Sequence, residues 1–257
     1  MYQHIHKERV GETVVVRIDN PPVNALHPDV SDEIHTVARQ IEDDFSVRSM
    51  VLTGTGRCFV AGGDIKFFTT LNRHTAAKMA LQVQAMQEAL YRLRVPVIVA
   101  LNGHALGGGL ELIMACDIVI AEEQAKIGLA EVRLGLIPGA GGTRMLSRLV
   151  APGTAKRLLF TGENITASYA AEIGLVSQVV PEGKAFEEAM TLAETINSRG
   201  PLAVAAAKSS MIFGDDHSLD EGHRREVQLF AALFDSDDHR EGVQAFLEKR
   251  PAKFTGK

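Results

Sequence analysis

The sequence predicts an α/β protein with an all-helical C-terminal region. Three observations carry this. A strand, a helix and a second strand follow one another between residues 13 and 54. Two later stretches, 58–66 and 96–114, each run from a strand through consecutive glycines towards a helix. After Pro152 the texture changes, and only residues 176–180 read as strand. The 257 residues suit one large domain or two small ones, with enough chain for a sizeable core. The expected division is an α/β core over 1–195 and a helical region over 196–257.

In order, Thr13-Val-Val-Val-Arg-Ile18 is β-branched and reads as a mostly buried strand. Asp19-Asn-Pro-Pro22 ends it with turn chemistry. A helix opens near Pro28 and runs to about Asp44, with Val30, Ile34, Val37, Ala38 and Ile41 spaced to form one buried face. Residues 48–54 form a second strand, and the β–α–β order favours a parallel pair with a right-handed crossover. In 58–66, Gly62 and Gly63 precede Asp64, which can cap a short helix; an ordinary glycine turn explains the same residues. A long helix is expected over 75–94.

Pro96-Val-Ile-Val-Ala-Leu101 reads as a buried strand and leads into Asn102-Gly-His-Ala-Leu-Gly-Gly-Gly-Leu-Glu111. Each glycine costs a regular element about 0.5–1 kcal/mol relative to alanine, so a run of three implies a backbone that must come close to something. The first N–H groups of a helix have no internal partner and carry the positive end of its dipole. Gly107 to Gly109 therefore read as donors aimed at a developing negative charge, with Glu111 in the first turn of an apolar helix. A tight helix–strand contact with a solvated Glu111 explains the stretch equally well. The loops at 62–63 and 107–109 could each offer one N–H to the same oxygen.

Residues 117–121 form another strand, and 126–130 an extended piece leading to Glu131. Gly139-Ala-Gly-Gly142 is not a Walker loop, since no Lys-Ser/Thr follows, nor a dinucleotide fingerprint, since it follows Ile-Pro rather than a strand. It reads as a loop approaching the site and ending at a helix over 143–150. Further helices are expected over 154–160, 166–173, 181–199, 201–212, 218–234 and 238–249. This helical tail either packs against neighbouring subunits or covers its own domain.

Composition excludes several classes. Hydrophobic residues are 46%, charged residues 23% and the net charge is −5, as in an ordinary soluble globular protein. No basic block points to nucleic acid. Cys58 and Cys116 form no CxxC, which fits a reduced, intracellular chain. The stretch from Met1 to Arg9 is polar and lacks the apolar core of a signal peptide. No apolar run reaches the roughly 20 residues of a membrane span. The nine histidines are scattered and there is no HExxH, so no catalytic metal is expected. Ser147 and Ser177 lack a GxSxG context.

Taken together, the motifs resemble the enoyl-CoA hydratase/isomerase (crotonase) superfamily over nearly the entire chain. They include Asn20-Pro-Pro-Val-Asn-Ala-Leu26, Phe59-Val-Ala-Gly-Gly-Asp-Ile-Lys66, the 102–111 stretch, Ala130-Glu131, Gly135-Leu-Ile-Pro-Gly-Ala-Gly-Gly-Thr-Arg144, Leu159-Phe-Thr-Gly162, Ala171-Glu-Ile-Gly-Leu-Val176 and Phe246-Leu-Glu-Lys-Arg250. The resemblance implies a crotonase-like spiral of repeated ββα units, with the C-terminal helices used in trimerisation. It places two oxyanion-hole N–H groups on Gly63, where members commonly have alanine, and Gly108. It places the two hydratase glutamates on Glu111 and Glu131, and Gly139 beside the catalytic water. Val23, Ala25 and Leu26, with Ala61, Asp64, Ile65 and Lys66, resemble the residues lining the CoA groove. Phe246 and Lys249 match tail residues that reach CoA on a neighbouring subunit.

The reaction so implied is reversible hydration of a 2-enoyl-CoA, with CoA belonging to the substrate and no further cofactor. Both glutamates favour a hydratase over other chemistries of the fold; an enoyl-CoA isomerase and a branched-substrate (methylglutaconyl-CoA) hydratase are the alternatives. An RNA-binding relative should carry a basic helix, whereas Arg39 to Arg48 here includes Glu42, Asp43 and Asp44. The resemblance implies a trimer or a dimer of trimers, with no membrane or nucleic-acid partner. It also implies the bacterial cytoplasm, or a mitochondrial matrix if a transit peptide has been removed. Phe67 and Phe68 either shape the acyl pocket or pack within a helix, and the second is expected.

Overall fold

The computed structural model describes residues 2–257, so Met1 of the polar N-terminal stretch lies outside the described residues. The chain begins with strands β1 (Ile5–Val10) and β2 (Thr13–Ile18) and helix α1 (Pro28–Asp43). Next come β3 (Ser49–Gly54), β4 (Cys58–Ala61), α2 (Ile65–Phe68) and α3 (Arg73–Tyr91). Then follow β5 (Val97–Leu101), β6 (His104–Leu106), α4 (Gly108–Met114), β7 (Ile118–Glu122), β8 (Lys126–Gly128) and a 3₁₀ turn, Glu131–Leu134. The order is a repeated β–β–helix unit. From the second unit on, each unit sends its first strand to one sheet and its second strand to another. The first sheet runs β1-β2-β3-β5-β7-β10 and the second β4-β6-β8-β9, where β9 is Ile165–Thr166 and β10 is Gln178–Val180.

Burial explains the first sheet. β3 and β5 are buried along their whole length, as expected for parallel strands covered on both faces. Alternate residues of a strand point to opposite faces. Val14 and Val16 accordingly enter the larger core with Val30, Ile34, Val37 and Ile41 of α1, while Val15 enters a smaller one. That smaller core joins Val51, Ile98, Ala100 and Ile120 to Ala185, Ala189 and Ala193 of α8 (Ala185–Asn197). Arg94 closes the end of α1, its guanidinium donating to the Ile41 and Val47 carbonyls at 3.0 and 3.1 Å.

The expected strands and helices are present, and β2 and β3 pair in parallel as the β–α–β order requires. Three strands were not expected. β1 is an edge strand joined to β2 by a turn at Gly11, and only its Ile5 is buried, so it shows no alternation. β6 and β9 have three and two residues, too short to show a period. Residues 176–180 are thus not the sole strand after Pro152, and the strand there is confined to β10.

The remaining helices are α5 (Gly142–Leu149), α6 (Pro152–Thr161), α7 (Ala167–Glu172), α9 (Pro201–Asp216), α10 (Leu219–Leu233) and α11 (Asp237–Glu248). Lys208 ties α9 to the first sheet. Its buried Nζ donates to Asp117 Oδ2 at 2.6 Å and to the Val95 carbonyl at 3.2 Å. Asp117 Oδ2 also accepts from the Val97 N–H at 2.7 Å. Burial raises the Asp117 carboxyl and Lys208 opposes that shift. Arg48 spans the same gap, donating to the carbonyls of Asn197 and Phe254 at 2.8 and 2.7 Å.

Removing one partner of a buried ion pair costs about 3–5 kcal/mol. Lys208→Met should therefore lower the urea midpoint markedly at pH 8. With Lys208 gone, the folded-state pKa of Asp117 rises further above its unfolded value, so the loss should shrink as pH falls towards 4. An equal loss at pH 8 and pH 5 would argue against the ion pair.

Candidate active site

The second sheet brings the site together. β4, β6 and β8 are parallel neighbours, with Ala61 opposite Leu106 and Leu106 opposite Gly128. Their carboxyl ends are therefore level, the place where open α/β sheets bind ligands. Gly62 and Gly63 leave the first strand, Gly107 and Gly108 the second, and Ala130 and Glu131 the third. The loop before α1 is drawn onto the same edge. The Leu26 N–H donates to the Gly62 carbonyl at 2.8 Å and the Ala61 N–H to the Val23 carbonyl at 3.1 Å. Asn24, buried with φ of 53°, holds that loop by donating to the Thr55 and Cys58 carbonyls, each at 2.9 Å.

The three consecutive glycines have separate causes. At Gly107, φ is +50° and a Cβ would lie 2.9 Å from Glu131 Oε1. At Gly109 a Cβ would lie 2.2 Å from the Val60 carbonyl oxygen, so α4 rests directly on β4. The helix–strand contact is thus present at Gly109. Gly108 opens α4, and its N–H, like that of Gly63, enters no loop or cap hydrogen bond among the described residues. Gly63 and Gly108 line one cavity of about 630 Å³, together with Glu111, Glu131, Gly139 and Leu26. Its apolar wall comes from Phe68 and Leu71 and from Ala76, Met79, Ala80 and Val83 of α3.

Glu111 is not solvated. It is 4% exposed, and its Oε1 accepts from the Ala140 and Gly142 N–H groups, each at 2.8 Å. A Cβ on Gly142 would lie 2.9 Å from that oxygen. Burial pushes the Glu111 carboxyl up to about 7, the two N–H groups opposing and the charge of Glu131 adding to the rise. Burial also raises Glu131, whose buried Oε2 has no hydrogen-bond partner within the protein. The site can therefore keep a proton on one carboxyl near neutral pH beside a second carboxyl with an open acceptor. Gln84 of α3 secures the loop whose amides hold Glu111, donating to the Gly139 carbonyl at 2.8 Å.

Residues 8–257 match the family model described as enoyl-CoA hydratase/isomerase. The chain belongs to this family. It is 40% identical to the crotonyl-CoA hydratase of Syntrophomonas wolfei, over all of this chain and 99% of that one. It is likewise 40% identical to the short-chain-enoyl-CoA hydratase of Clostridium acetobutylicum, over 95% of this chain and 94% of that one. The crystal structure of an enoyl-CoA hydratase from Bacillus anthracis superposes with a TM-score of 0.96 at 38% identity, over 99% of this chain and 100% of that one. The expected crotonase-like α/β fold is the fold of this chain.

The structure gathers most of the expected enoyl-CoA hydratase/isomerase site residues. Val23, Ala25, Leu26, Ala61 and Gly63 form one edge, with Ile65 half-exposed at the cavity rim. Asp64 caps α2, accepting from the Phe67 N–H at 3.0 Å, and the exposed Lys66 lies within that helix. Phe246 and Lys249 are not brought to the cavity. Phe246 borders an apolar groove with Phe230, Phe234 and Phe254, and Lys249 ends α11 with φ of 56°.

Phe67 and Phe68 divide between the two alternatives, and Phe68 departs from the expected one. Phe67 packs edge-on against His27 at 4.7 Å between centroids, whereas Phe68 lines the cavity. Phe68 also gives Gly63 a local cause, since a Cβ there would lie 2.7 Å from Phe68 Cζ. Sequence reasoning missed the Ala140 and Gly142 donors and the α3 wall. Ala76 and Ala80, four apart on one helix face, were the available signal for that wall.

Among the described residues, no group of three or more His, Cys, Asp or Glu side chains gathers as a metal site, and no helix is long and apolar enough to cross a membrane.

Glu111 titrates near 7 when folded against 4.5 ordinarily, so the folded chain holds a proton that the unfolded chain releases in that window. Its contribution to stability is then greatest below 4.5 and is lost as pH rises to about 7. Glu111→Gln should be more stable than wild type at pH 8, with the gap closing towards pH 4.5. Melting temperatures across that range check this, and a gap independent of pH would count against a protonated, buried Glu111.

Proposed function

We propose that this protein hydrates 2-enoyl-CoA thioesters reversibly. The observation that carries the reading is Glu111, buried, held by two backbone N–H groups and flanked by a second carboxyl with an unpartnered oxygen. The thioester oxygen sits between the N–H groups of Gly63 and Gly108. Addition at the β-carbon builds enolate charge there, and each such donor is worth about 2.7–4 kcal/mol in the transition state. A water held between Glu111 and Glu131, beside Gly139, loses a proton to one carboxylate as it attacks. The other carboxyl delivers a proton to the α-carbon. Glu111, pushed up to about 7, and Glu131, raised by burial, suit these transfers, each typically worth about 10²–10⁴-fold. After the addition the first carboxyl holds the water's proton and the second is ionised, so a proton passes from the first to the second, directly or through water, before the next turnover; no group is needed besides the CoA that the substrate brings.

The names of the Syntrophomonas and Clostridium relatives support a short unsaturated acyl chain. Val23, Ala25, Leu26, Ala61, Ile65 and Lys66 would meet the CoA portion, with Phe246 and Lys249 reaching CoA on a neighbouring subunit. Bacterial relatives support a cytoplasmic setting, and beta-oxidation or related acyl-CoA degradation is the fitting role.

We also propose a trimer or dimer of trimers built on residues 196–257. Val227, Phe230 and Phe234 in and after α10, and Val243, Phe246 and Leu247 of α11, are exposed, and large apolar side chains grouped on two helices suit a subunit interface. Phe230→Glu with Phe234→Glu should reduce the mass measured by light scattering to that of one chain. An unchanged mass would remove these helices from the interface.

Loss of enoyl-thioester absorbance with crotonyl-CoA tests the chemistry. Wild type should be active, and Glu111→Gln and Glu131→Gln should each lose about 10²–10⁴-fold in kcat. Near-wild-type turnover in either variant, or no turnover of any enoyl-CoA by wild type, would overturn the assignment.

A further inference from the structure

Gly63 and Phe68 stand in contact across the top of α2. An ideal Cβ on Gly63 would lie 2.7, 3.2 and 3.5 Å from three carbons of the Phe68 ring, so the ring occupies the volume that any side chain at 63 would need. Both residues line the cavity. Phe67, one position earlier, is turned away onto His27. The Gly63 N–H enters no loop or cap hydrogen bond among the described residues.

We propose that Phe68 is a specificity-determining residue, whose ring, seated against Gly63, excludes 2-methyl-branched enoyl thioesters in favour of unbranched ones. This rests on the hydratase reading above. If the Gly63 N–H holds the thioester oxygen, a ring in contact with Gly63 borders the carbons next to that oxygen rather than the far end of the acyl chain. The crowding it imposes falls on the α-carbon. The absent side chain at 63 and the aromatic ring at 68 are then one device: the ring can stand there because residue 63 has no Cβ. The same contact makes the two positions interdependent, because a methyl group at 63 has to push the ring aside.

The test is a double-substitution cycle with Phe68→Ala, Gly63→Ala and the two together, assayed on crotonyl-CoA and on its 2-methyl homologue, tiglyl-CoA. Wild type should favour crotonyl-CoA. Phe68→Ala should raise the ratio of kcat/KM for tiglyl-CoA over crotonyl-CoA by about tenfold or more, the discrimination a single methyl group supports. Gly63→Ala should lower activity and melting temperature in the wild-type background and do so far less when Phe68 is already alanine. Crotonyl-CoA hydration with an unchanged substrate ratio in Phe68→Ala would overturn this proposal alone. Additive melting-temperature changes would overturn the pairing whatever the activity. Absence of hydration in wild type would overturn both the hydratase reading and the specificity role.

Discussion

The parallel pairing of three short strands is the constraint on which the site depends. β4, β6 and β8 contribute only a few residues each, yet their register sets Gly62, Gly107 and the approach to Glu131 side by side. A slip of one residue would turn every following side chain to the other face. The register is enforced by contacts that admit no side chain. Gly109 against the Val60 carbonyl fixes α4 on β4, and Gly107 against Glu131 fixes the second strand end on the third. Asn24 and Leu26 then draw the preceding loop along the first strand end.

Within that frame the electrostatics are set by burial more than by charge pairing. No cation is found among the groups that shift Glu111 or Glu131; burial raises both, and backbone N–H groups oppose the rise. A buried carboxyl without a counter-ion is unfavourable to the fold and useful for moving protons. The surrounding structure compensates through the buried central strands β3 and β5 of the first sheet and the ties made by Lys208 and Arg48.

Much of this was legible in the amino-acid sequence because the decisive residues are unusual where they stand. Three glycines before a first-turn glutamate require a close approach, and two strand–glycine–helix loops suggest a shared purpose. What the sequence left open was which explanation of the glycines held: the helix–strand contact is present at Gly109, with Glu111 buried rather than solvated, and Gly107 and Gly108 line the cavity. Convergence of Glu111 with Glu131 depends on pairing between strands distant in sequence, which local patterns do not encode; the resemblance supplied it. The hydrogen bonds from Ala140 and Gly142 come from backbone atoms and have no residue-type signature. β1 was missed because its exposed residues show no period, and Phe68 because a helix of four residues has too little pattern to separate inward from outward.

Helix α3 touches both halves of the problem. Ala76, Met79, Ala80 and Val83 line the cavity wall, while Gln84, in the next turn, grips the Gly139 carbonyl of the loop whose amides hold Glu111. One helix thus shapes the cavity and, through Gln84, holds the loop on which the position of Glu111 depends. On the hydratase reading proposed above, an acyl chain that fits poorly against α3 would disturb Glu111 through that same contact. Discrimination between acyl chains then registers in turnover as well as in affinity, binding energy from the inert end of the substrate being spent on alignment at the reactive one.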